Sequence, residues 1–378
     1  MRFFHISDLH FGKLLYGYDL TEEHRNFIEQ LGNYCDKYNP DAVLIAGDIY
    51  DRSVPSADAM TLLDELLNKL SGRKVFIISG NHDNAKRLSF GKDFLKKHDI
   101  YISTVPPTGE NEKIEKVKFA DEYGNVNVYM LPFLKPALFK NSMPEEAVAG
   151  EDAIIKKLVE NTDIDKNERN IIIAHQFFVS GSKEPELCES EQTPAIVGGL
   201  DAVDISVFDD FEYAALGHIH GGQFVGSEKN RYSGTPIKFS VSERNHNKNI
   251  VMVDMEEKNK EIEIIKLPLT QIRDVKKLTG YFDDIIASAD EELKNDYVSI
   301  TLRDEEIIPD VKEKLGAYFD YILEVVVDNS ETRKIMLEDV SELKEMSPYD
   351  AFDTFFEQLT DRKMNDAESE LFREILSE

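Results

Sequence analysis

The chain contains five apolar, strand-like runs, and each ends directly before residues that can bind a metal ion. Runs of this length, rich in β-branched residues, are typical of strands buried on both faces of a sheet. The carboxyl ends of such strands converge on one edge of an open α/β sheet, where these folds place their active sites. The residues that follow the five runs are the segments 8–10, 47–51, 80–83 and 217–220, together with His175. This pattern predicts a metal centre with two ions.

The composition is that of an ordinary folded protein. Of the 378 residues, 41% are hydrophobic and 31% are charged, which is enough for one large α/β domain and a smaller one. No apolar stretch approaches 18 residues, so we expect no membrane span. The first motif begins so early that we expect no signal peptide. The two cysteines, Cys35 and Cys188, are expected to be reduced thiols in a cytoplasmic protein.

The net charge of −29, taken alone, argues against a polyanionic partner such as nucleic acid. Residues 276–378, however, carry 28 acidic and only 12 basic side chains, so more than half of the acidic excess lies away from every motif. Bound divalent cations would cancel a further part locally. The charge therefore counts against a nucleic-acid partner but leaves it open.

Strand and helix patterns alternate through the first 110 residues, which predicts a parallel sheet with right-handed crossovers. The predicted elements are strand 2–7, helix 22–38, strand 42–47, helix 56–70 and strand 74–79. A hairpin over 113–131 and core strands 170–174 and 212–216 follow. Strands within 231–267 could form a second, antiparallel sheet. We therefore predict a two-sheet α/β sandwich over residues 1–275.

The pattern changes near residue 276. Residues 276–330 predict a small α/β capping domain, with helices 281–294 and 309–320 and strands 297–302 and 321–327. A charged connector and two short amphipathic helices are predicted within 331–378. Their apolar faces consist of Phe352, Phe355, Phe356 and Leu359, and of Leu371, Phe372, Ile375 and Leu376. We expect these faces to dock onto a partner; the alternative is that they fold back onto the capping domain.

Asp48 is the predicted bridge between the two ions. Divalent metals about 3.5–4 Å apart need a shared ligand, and a carboxylate is the natural one. Asp48 ends a buried strand and follows Gly47, which allows a tight turn of the backbone. Asp8 and His10 are two residues apart in an extended segment, so both side chains project to the same side and can bind one ion together.

The remaining predicted ligands are histidine and amide side chains. His218 and His220 repeat the spacing of two residues, and Asn81 and His175 complete a shell of nitrogen and oxygen atoms. Such a shell suits Mn²⁺, Fe²⁺ or Zn²⁺ and lacks the thiolates of structural zinc sites. Each segment taken singly could be an ordinary turn or loop. Their joint occurrence at five strand ends favours the metal centre.

His82 is predicted to be a catalytic residue rather than a ligand. It follows the ligand Asn81, so it points in a different direction and can face the substrate. Asp83 is predicted to fix the tautomer of His82 and to raise its basicity. His82 would then donate a proton to the leaving group.

These motifs together resemble a known family. The ordered set Asp8-x-His10, Gly47-Asp48-x-x-Asp51, Gly80-Asn81-His82-Asp83, His175 and Gly217-His218-x-His220 resembles the calcineurin-like metallophosphoesterase superfamily. Within it, segments 6–13, 46–52, 81–91, 174–177, 215–221 and 231–236 resemble the SbcD family of bacterial nuclease subunits. The resemblance extends over essentially the whole chain, and beyond residue 278 it concerns the architecture alone.

The resemblance implies a role for each matched position. It places Asp8, His10, Asp48 and His220 on one metal, and Asp48, Asn81, His175 and His218 on the other. His82 would act on the transition state, and Lys13, Arg52 and Arg87 would contact the substrate. One departure concerns Asp51, because relatives carry a histidine at this position and that role cannot be transferred. Asp51 is instead expected to accept a hydrogen bond from a ligand or from Arg52.

The resemblance also implies an activity and partners. These are Mn²⁺-dependent double-strand exonuclease and single-strand endonuclease activity on DNA, in DNA repair, recombination and replication. The chain would be a homodimer within a heterotetramer, bound through its C-terminal helices to an SbcC-type ATPase subunit. It has no P-loop of its own, so any ATP would be bound elsewhere.

Two alternatives remain open at this point. One is another phosphoesterase on the same scaffold, such as a protein phosphatase or a cyclic-nucleotide phosphodiesterase. Segment 47–52 is close to the phosphatase pattern, although Ser53 stands in place of the usual glycine and Asp83 in place of the usual glutamate. The other is a binding scaffold that keeps the fold without metals. A panel of substrates would separate the first, and metal analysis the second.

Overall fold

The structure is a computed structural model. It describes residues 1–109, 112–191, 202–306 and 308–330. Beyond these it describes Tyr349, Phe352, Phe356, Arg362, Met364, Asn365, Glu368, Ser369 and Phe372. The chain divides into two compact units, Met1–Lys276 and Lys277–Glu378. Among the described residues, no helix combines the length and the apolar character that crossing a bilayer requires.

The strands and helices are numbered here in chain order. The strands are β1 (Arg2–Ile6), β2 (Leu14–Leu15), β3 (Tyr18–Asp19), β4 (Ala42–Ala46), β5 (Lys74–Ile78), β6 (Ile100–Ser103), β7 (Glu115–Asp121), β8 (Gly124–Leu131), β9 (Arg169–His175), β10 (Phe177–Val179), β11 (Ala202–Asp204), β12 (Tyr213–Gly217), β13 (Gln223–Val225), β14 (Ser227–Tyr232), β15 (Asn249–Asp254), β16 (Glu263–Pro268), β17 (Val275–Gly280), β18 (Tyr297–Leu302) and β19 (Tyr321–Val327). The helices are α1 (Thr21–Tyr38), α2 (Ala57–Lys69), α3 (Ala85–Leu88), α4 (Lys92–Leu95), α5 (Pro144–Ala149), α6 (Glu151–Asn161), α7 (Phe282–Ala287), α8 (Glu291–Asn295) and α9 (Val311–Leu315).

The first sheet has the order β16-β15-β1-β4-β5-β6. Strands β1, β4, β5 and β6 run parallel, because the crossovers α1 and α2 return the chain to the same edge after each strand. The predicted helices match α1 and α2 closely. The Ser56 side chain caps α2 by accepting the Ala59 N–H, which satisfies one of the unpaired amides at a helix start.

The second sheet has the order β13-β14-β12-β9-β8-β7. Its inner strands β14, β12, β9 and β8 run parallel, and β7 and β13 pair antiparallel at the two ends. The predicted hairpin over 113–131 is confirmed as β7 and β8. The two runs before His175 and His218 became β9 and β12, which are buried along their whole length.

One expectation about the second sheet is wrong. The strands within 231–267 were expected to form it, but β15 and β16 instead extend the first sheet, with β15 antiparallel to β1. The parallel strand β4 occupies one edge of β1, and the returning chain covers the other. An unpaired edge in the middle of a large sheet would leave backbone groups without partners.

The two sheets pack face to face. A core layer between them contains Phe3, Leu44 and Phe76 from the first sheet and Val128 and Ile173 from the second. Helices α1 and α2 cover the outer face of the first sheet, and α6 covers that of the second. The predicted two-sheet α/β sandwich is confirmed.

The second unit is a small α/β structure. Its sheet has the order β17-β18-β19, with β18 and β19 parallel, and Val298, Ile300, Leu315 and Phe319 lie in its core. The predicted helix 281–294 is divided into α7 and α8, because Asp290 caps a new helix by accepting the Leu293 N–H. The predicted helix 309–320 is shorter, as α9.

The predicted helical pair falls mostly outside the described residues. This applies to Phe355, Leu359, Leu371, Ile375 and Leu376. Among the described residues, Phe352 and Phe356 on one predicted helix and Phe372 on the other are helical. The Phe352 and Phe372 rings stack with their centroids 3.8 Å apart. The division of the chain at residue 330 stays a prediction.

Candidate metal centre

The five predicted segments meet at the carboxyl ends of five strands. β1 leads to Asp8 and β4 to Asp48 in the first sheet, and β9 ends at His175 in the second. Backbone hydrogen bonds join the loops after β1 and β4. The Asp8 N–H donates to the Gly47 carbonyl and the His10 N–H to the Asp48 carbonyl, both at 3.0 Å. The site is therefore built where both sheets present the same edge.

Four of the predicted site residues have a left-handed backbone. The φ angles are 54° at Asp8, 45° at His10, 50° at Asp48 and 107° at His218. A positive φ is uncommon outside glycine, and such residues concentrate at functional sites because the surrounding fold must maintain them. The strand ends thus turn sharply at the residues that were predicted from chemistry alone.

Asp48 lies at the centre of the cluster and is 2% exposed. Its Oδ2 is 3.4 Å from His175 Nε2 and 3.7 Å from His10 Nε2, so one oxygen faces histidines from both sheets. Its Oδ1 accepts the His82 N–H at 2.9 Å. A Cβ added at Gly80 would overlap the Asp48 carboxylate. Only glycine therefore allows the loop after β5 to approach this closely.

Asn81 joins two histidines of the second sheet. Its Oδ1 is 3.0 Å from His175 Nε2 and 3.1 Å from His218 Nδ1. The opposite ring nitrogen of His175, Nδ1, lies 2.7 Å from the Ala46 carbonyl oxygen. Because a carbonyl only accepts, Nδ1 carries the hydrogen, and Nε2 is left as the lone-pair nitrogen that faces Asp48.

Asp8, His10 and His220 form the other side of the cluster. The Asp8 carboxylate accepts the His218 N–H at 3.0 and 3.1 Å and a hydrogen bond from Ser7. The ring centroids of His10 and His220 are 5.1 Å apart. Phe239, which sequence reasoning missed, packs against both rings.

The donor set fits divalent cations. Three groups have ligand atoms within 4.8 Å of one another: Asp8, His10 and His220; Asp8, Asp48 and His175; and His10, Asp51 and His82. Both ring nitrogens of His10 are buried without a hydrogen-bond partner among the described residues. An unpaired buried polar atom is costly, and a cation at this position would satisfy it.

The acid–base properties of the cluster agree with this fit. Burial lowers the pKa of His10 well below its usual value and that of His218 to about 3, so both rings are neutral, as a metal ligand must be. Burial alone would also lower the pKa of His175, but the Asp48 and Asp8 carboxylates raise it to about 9. A proton on His175 thus serves as counter-charge to the buried carboxylates, and a cation would replace it.

His82 is held by a different partner from the one predicted. Its Nδ1 lies 2.8 Å from the Asp51 carbonyl oxygen, so the backbone fixes the tautomer and Nε2 is the free nitrogen. Asp83 instead accepts backbone N–H groups from Gly80, Ile49 and Tyr50. The expectation that the Asp83 carboxylate orients the His82 ring is wrong, because its oxygens are engaged in joining the loops after β4 and β5.

Burial and the nearby Asp48 charge raise the pKa of Asp83 to about 6. The three backbone N–H groups favour the charged form and limit this rise. Asp83 is thus a structural carboxylate below the cluster.

The predicted substrate contacts lie around the cluster. Lys13 Nζ is 3.0 Å from Asp51 Oδ1 and lies over the Phe239 ring. The Arg52 side chain is 75% exposed, and its Nε is 3.7 Å from Asp51 Oδ2. Asp51 therefore accepts its hydrogen bond from Lys13, and its Oδ1 also lies 3.6 Å from His10 Nδ1. Arg87 is exposed on α3, close in sequence to His82.

Sequence reasoning missed the residues behind His220. Ser190 and Glu191, at the end of a loop, bond the His220 ring and its backbone N–H. The buried pair Glu243 and Lys248 completes the surroundings. No motif or spacing marks these residues, because they come from three separate loops.

The pKa values of the two carboxyl groups behind His220 differ. Burial alone would raise the pKa of Glu243, but the Lys248 ammonium and several hydrogen bonds hold it well below its usual value. Burial raises the pKa of Glu191 to about 7. Glu243 is therefore the carboxylate that carries a permanent charge beside the cluster.

Comparison with known proteins gives a consistent result. Residues 1–222 match the model of the calcineurin-like phosphoesterase family, and residues 268–360 match a model described as the type 5 capsule protein repressor C-terminal domain (SbcD_C). The SbcD subunit of the nuclease SbcCD from Staphylococcus epidermidis (strain ATCC 12228 / FDA PCI 1200) is 28% identical over 386 residues. That alignment spans 100% of this chain and 98% of the relative.

A solved structure, GAP50, described as the anchor in the inner membrane complex of Plasmodium, is also similar. It is 9% identical and is matched over 88% of this chain and 98% of its own length. Its TM-score of 0.41 is too low to support a conclusion. The family match, in contrast, covers more than half of the chain and contains every residue of the cluster. The chain belongs to the calcineurin-like phosphoesterase family, whose members use a dinuclear metal site, and it is a metal-dependent hydrolase.

Proposed function

We propose that this chain is the DNA nuclease subunit of a complex with an SbcC-type ATPase. The observation that carries the two-metal chemistry is the position of Asp48 Oδ2 between His175 and His10, where a shared carboxylate is needed. The full-length similarity to the SbcD subunit of the nuclease SbcCD supports DNA as the substrate. The SbcD_C match supports the same assignment for the second unit.

In this proposal the ligands are those implied by the sequence motifs. Asp8, His10, Asp48 and His220 hold one ion, and Asp48, Asn81, His175 and His218 hold the other. Mn²⁺ is the proposed metal, since the imidazole, carboxylate and amide donors suit it. When bound, the two cations supply Lewis-acid polarisation of the phosphate and an activated nucleophile at neutral pH.

The chain's own residues have separate tasks in hydrolysis. His82 is oriented by its Nδ1 hydrogen bond to the Asp51 carbonyl, so its Nε2 can hold a proton for the departing oxygen. Lys13 and Arg52 carry positive charge beside the cluster and can position a phosphate of the substrate. Arg87 is proposed to contact the strand further out.

The assay that tests this proposal is the cleavage of end-labelled DNA. We expect Mn²⁺-dependent shortening of duplex ends and internal cuts in single strands, with duplex cleavage enhanced by the ATPase subunit and ATP. Phosphoprotein and cyclic-nucleotide substrates serve as controls. Turnover of either of these, without any DNA cleavage in the presence of Mn²⁺ and the ATPase subunit, would contradict the proposal and favour another phosphoesterase.

We also propose that the chain acts in the cytoplasm as a homodimer within a heterotetramer. Large apolar side chains stand exposed on the first unit: Phe90 is 87% exposed, Phe94 is 64% exposed and Met60 is 55% exposed. Exposed apolar groups of this size mark interaction surfaces. A second copy of the chain is the partner proposed here.

Deleting residues 347–378 is expected to abolish association with the ATPase subunit. The described aromatic residues of this segment contact one another, with Phe352 stacked on Phe372 and Tyr349 near it. Short helices of this kind are unstable alone in water, so a partner that covers them would stabilise them. We expect the truncated chain to keep its fold and its Mn²⁺-dependent activity on short single strands.

Co-purification with the ATPase subunit measures the effect of this deletion. Circular dichroism and the single-strand assay serve as the controls for folding and for the active site. A truncated chain that unfolds would show that the segment belongs to the core of its own unit. A truncated chain that still binds the subunit stoichiometrically would rule out the docking role.

A further inference from the structure

A chain of hydrogen bonds leads away from His220 into the protein. His220 Nδ1 is 2.8 Å from Ser190 Oγ, and Ser190 Oγ is 2.8 Å from Glu243 Oε1. The other carboxylate oxygen, Glu243 Oε2, is 2.6 Å from Lys248 Nζ. Glu243 is 0% exposed and Lys248 is 6% exposed. A buried ion pair thus stands two hydrogen bonds away from a residue of the metal centre.

The direction of each hydrogen bond follows from the ends of the chain. Glu243 lies beside the Lys248 ammonium and also accepts the Phe239 N–H at 3.1 Å, so it is an ionised carboxylate that can only accept. The Ser190 hydroxyl must therefore donate its single hydrogen to Glu243, and its oxygen accepts from His220. This order puts the His220 hydrogen on Nδ1 and leaves Nε2 with the lone pair.

We propose that Ser190, Glu243 and Lys248 are positioning residues that fix His220 in the tautomer able to bind a cation through Nε2. The inference rests on the metal centre proposed above. It assigns to these three residues the role that the Ala46 carbonyl has for His175, whose Nδ1 hydrogen it accepts at 2.7 Å. Partners of this kind raise ligand basicity and fix the ring orientation.

A second contact from the same segment supports the role. Glu191, next to Ser190, accepts the His220 backbone N–H, so one segment holds both the ring and the main chain of His220. Lys248 Nζ also donates to the His220 carbonyl oxygen at 3.2 Å. The ring, the N–H and the carbonyl of one residue are thereby held by groups that lie outside all five motifs.

The test uses Ser190→Ala in the full-length chain, with Mn²⁺ alone as the probe. Free Mn²⁺ is followed by electron paramagnetic resonance during a titration of the metal-free protein. We expect the affinity for one of the two ions to fall by about 10–100-fold. Ser190→Thr keeps the hydroxyl and should keep the wild-type affinity.

A matched control comes from the same turn. Ser242 accepts the Glu189 N–H at 3.0 Å and bonds Ser240, but it is not part of the chain to His220. Ser242→Ala should therefore keep both Mn²⁺ affinities. A loss in Ser242→Ala equal to that in Ser190→Ala would mean that the loop packing matters rather than the hydrogen bond, and would overturn the inference.

A second readout separates positioning from simple packing. Long-range proton–nitrogen NMR of the metal-free protein reports the tautomer of the His220 ring, assigned by comparison with His220→Ala. We expect the Nδ1-protonated form in the wild type and a mixture of tautomers in Ser190→Ala. An unchanged tautomer in Ser190→Ala would overturn the inference.

The failure of this inference can be distinguished from the failure of the metal centre itself. His220→Ala should lose one ion. If it does so while Ser190→Ala binds Mn²⁺ as the wild type does, the positioning role is refuted and the ligand remains. If His220→Ala retains both ions at wild-type affinity, the ligand assignment is refuted, and the positioning role with it.

Discussion

Asp48→Ala is expected to abolish the binding of two metal ions and to bring hydrolysis to the background level. Asp48 Oδ2 lies 3.4 Å from His175 Nε2 and 3.7 Å from His10 Nε2. It is thus the carboxylate oxygen placed to serve both halves of the site. Without a shared ligand two cations at short separation repel each other, so the pair cannot be bound together.

The measurement is the metal content of the purified chain together with a Mn²⁺ titration. We expect two ions per chain in the wild type and at most one in Asp48→Ala. A matched control is Asp41→Ala, since Asp41 is an exposed carboxylate at the opposite end of β4. It should change neither the stoichiometry nor the activity. Two tightly bound ions in Asp48→Ala would sink the bridging assignment.

The Asp48 substitution also removes the acceptor of the His82 N–H. The loop after β5 would then lose one attachment, although Asp83 still accepts N–H groups from Gly80, Ile49 and Tyr50. Thermal unfolding of the metal-free proteins should therefore show an intact fold, and the defect should appear in metal binding.

His82→Ala is expected to keep both metals and the affinity for DNA while losing most of its turnover. General acid–base groups contribute about 10²–10⁴-fold to rate, and we expect a decrease in kcat within this range. The ring is fixed by the Asp51 carbonyl at 2.8 Å, so its free nitrogen has a defined direction. Single-turnover kinetics with saturating Mn²⁺ would measure the effect on the chemical step.

An exposed histidine away from the cluster provides the control for His82. His98 packs against Phe94 and has no role in the cluster, so His98→Ala should keep the wild-type rate. The contact of the His10 and His82 rings, with centroids 4.8 Å apart, also makes a ligand role for His82 testable. Loss of one Mn²⁺ ion in His82→Ala, in parallel with the loss of rate, would show that His82 is a ligand.

Much of the site could be predicted because each motif is local. A buried parallel strand imposes a continuous apolar run, and the residue that follows it must lie at the carboxyl edge of the sheet. Asp8, Asp48 and His175 could therefore be placed together from the order of residues along the chain. The hairpin of β7 and β8 and the helices α1 and α2 were predictable for the same reason, since turn and capping residues adjoin them in sequence.

The errors arose where a partner is distant in sequence. Asp83 adjoins His82, yet its carboxylate accepts N–H groups from Ile49 and Tyr50, which lie 34 and 33 residues away along the chain. The strand β15 was assigned to the wrong sheet because an apolar run does not indicate which open edge it will pair with. In both cases the local pattern was correct and the choice of partner was not.

The sequence by itself determined the fold class, the strand ends that bear the ligands and the chemistry of the donor set, because these follow from residue type and spacing along a single element. Only the tertiary structure decided which groups orient those ligands. The Ala46 carbonyl behind His175 and the Ser190–Glu243–Lys248 chain behind His220 come from different loops. Their hydrogen bonds exist only once the two sheets have packed and the site is closed to water, where an unpaired polar group would be costly.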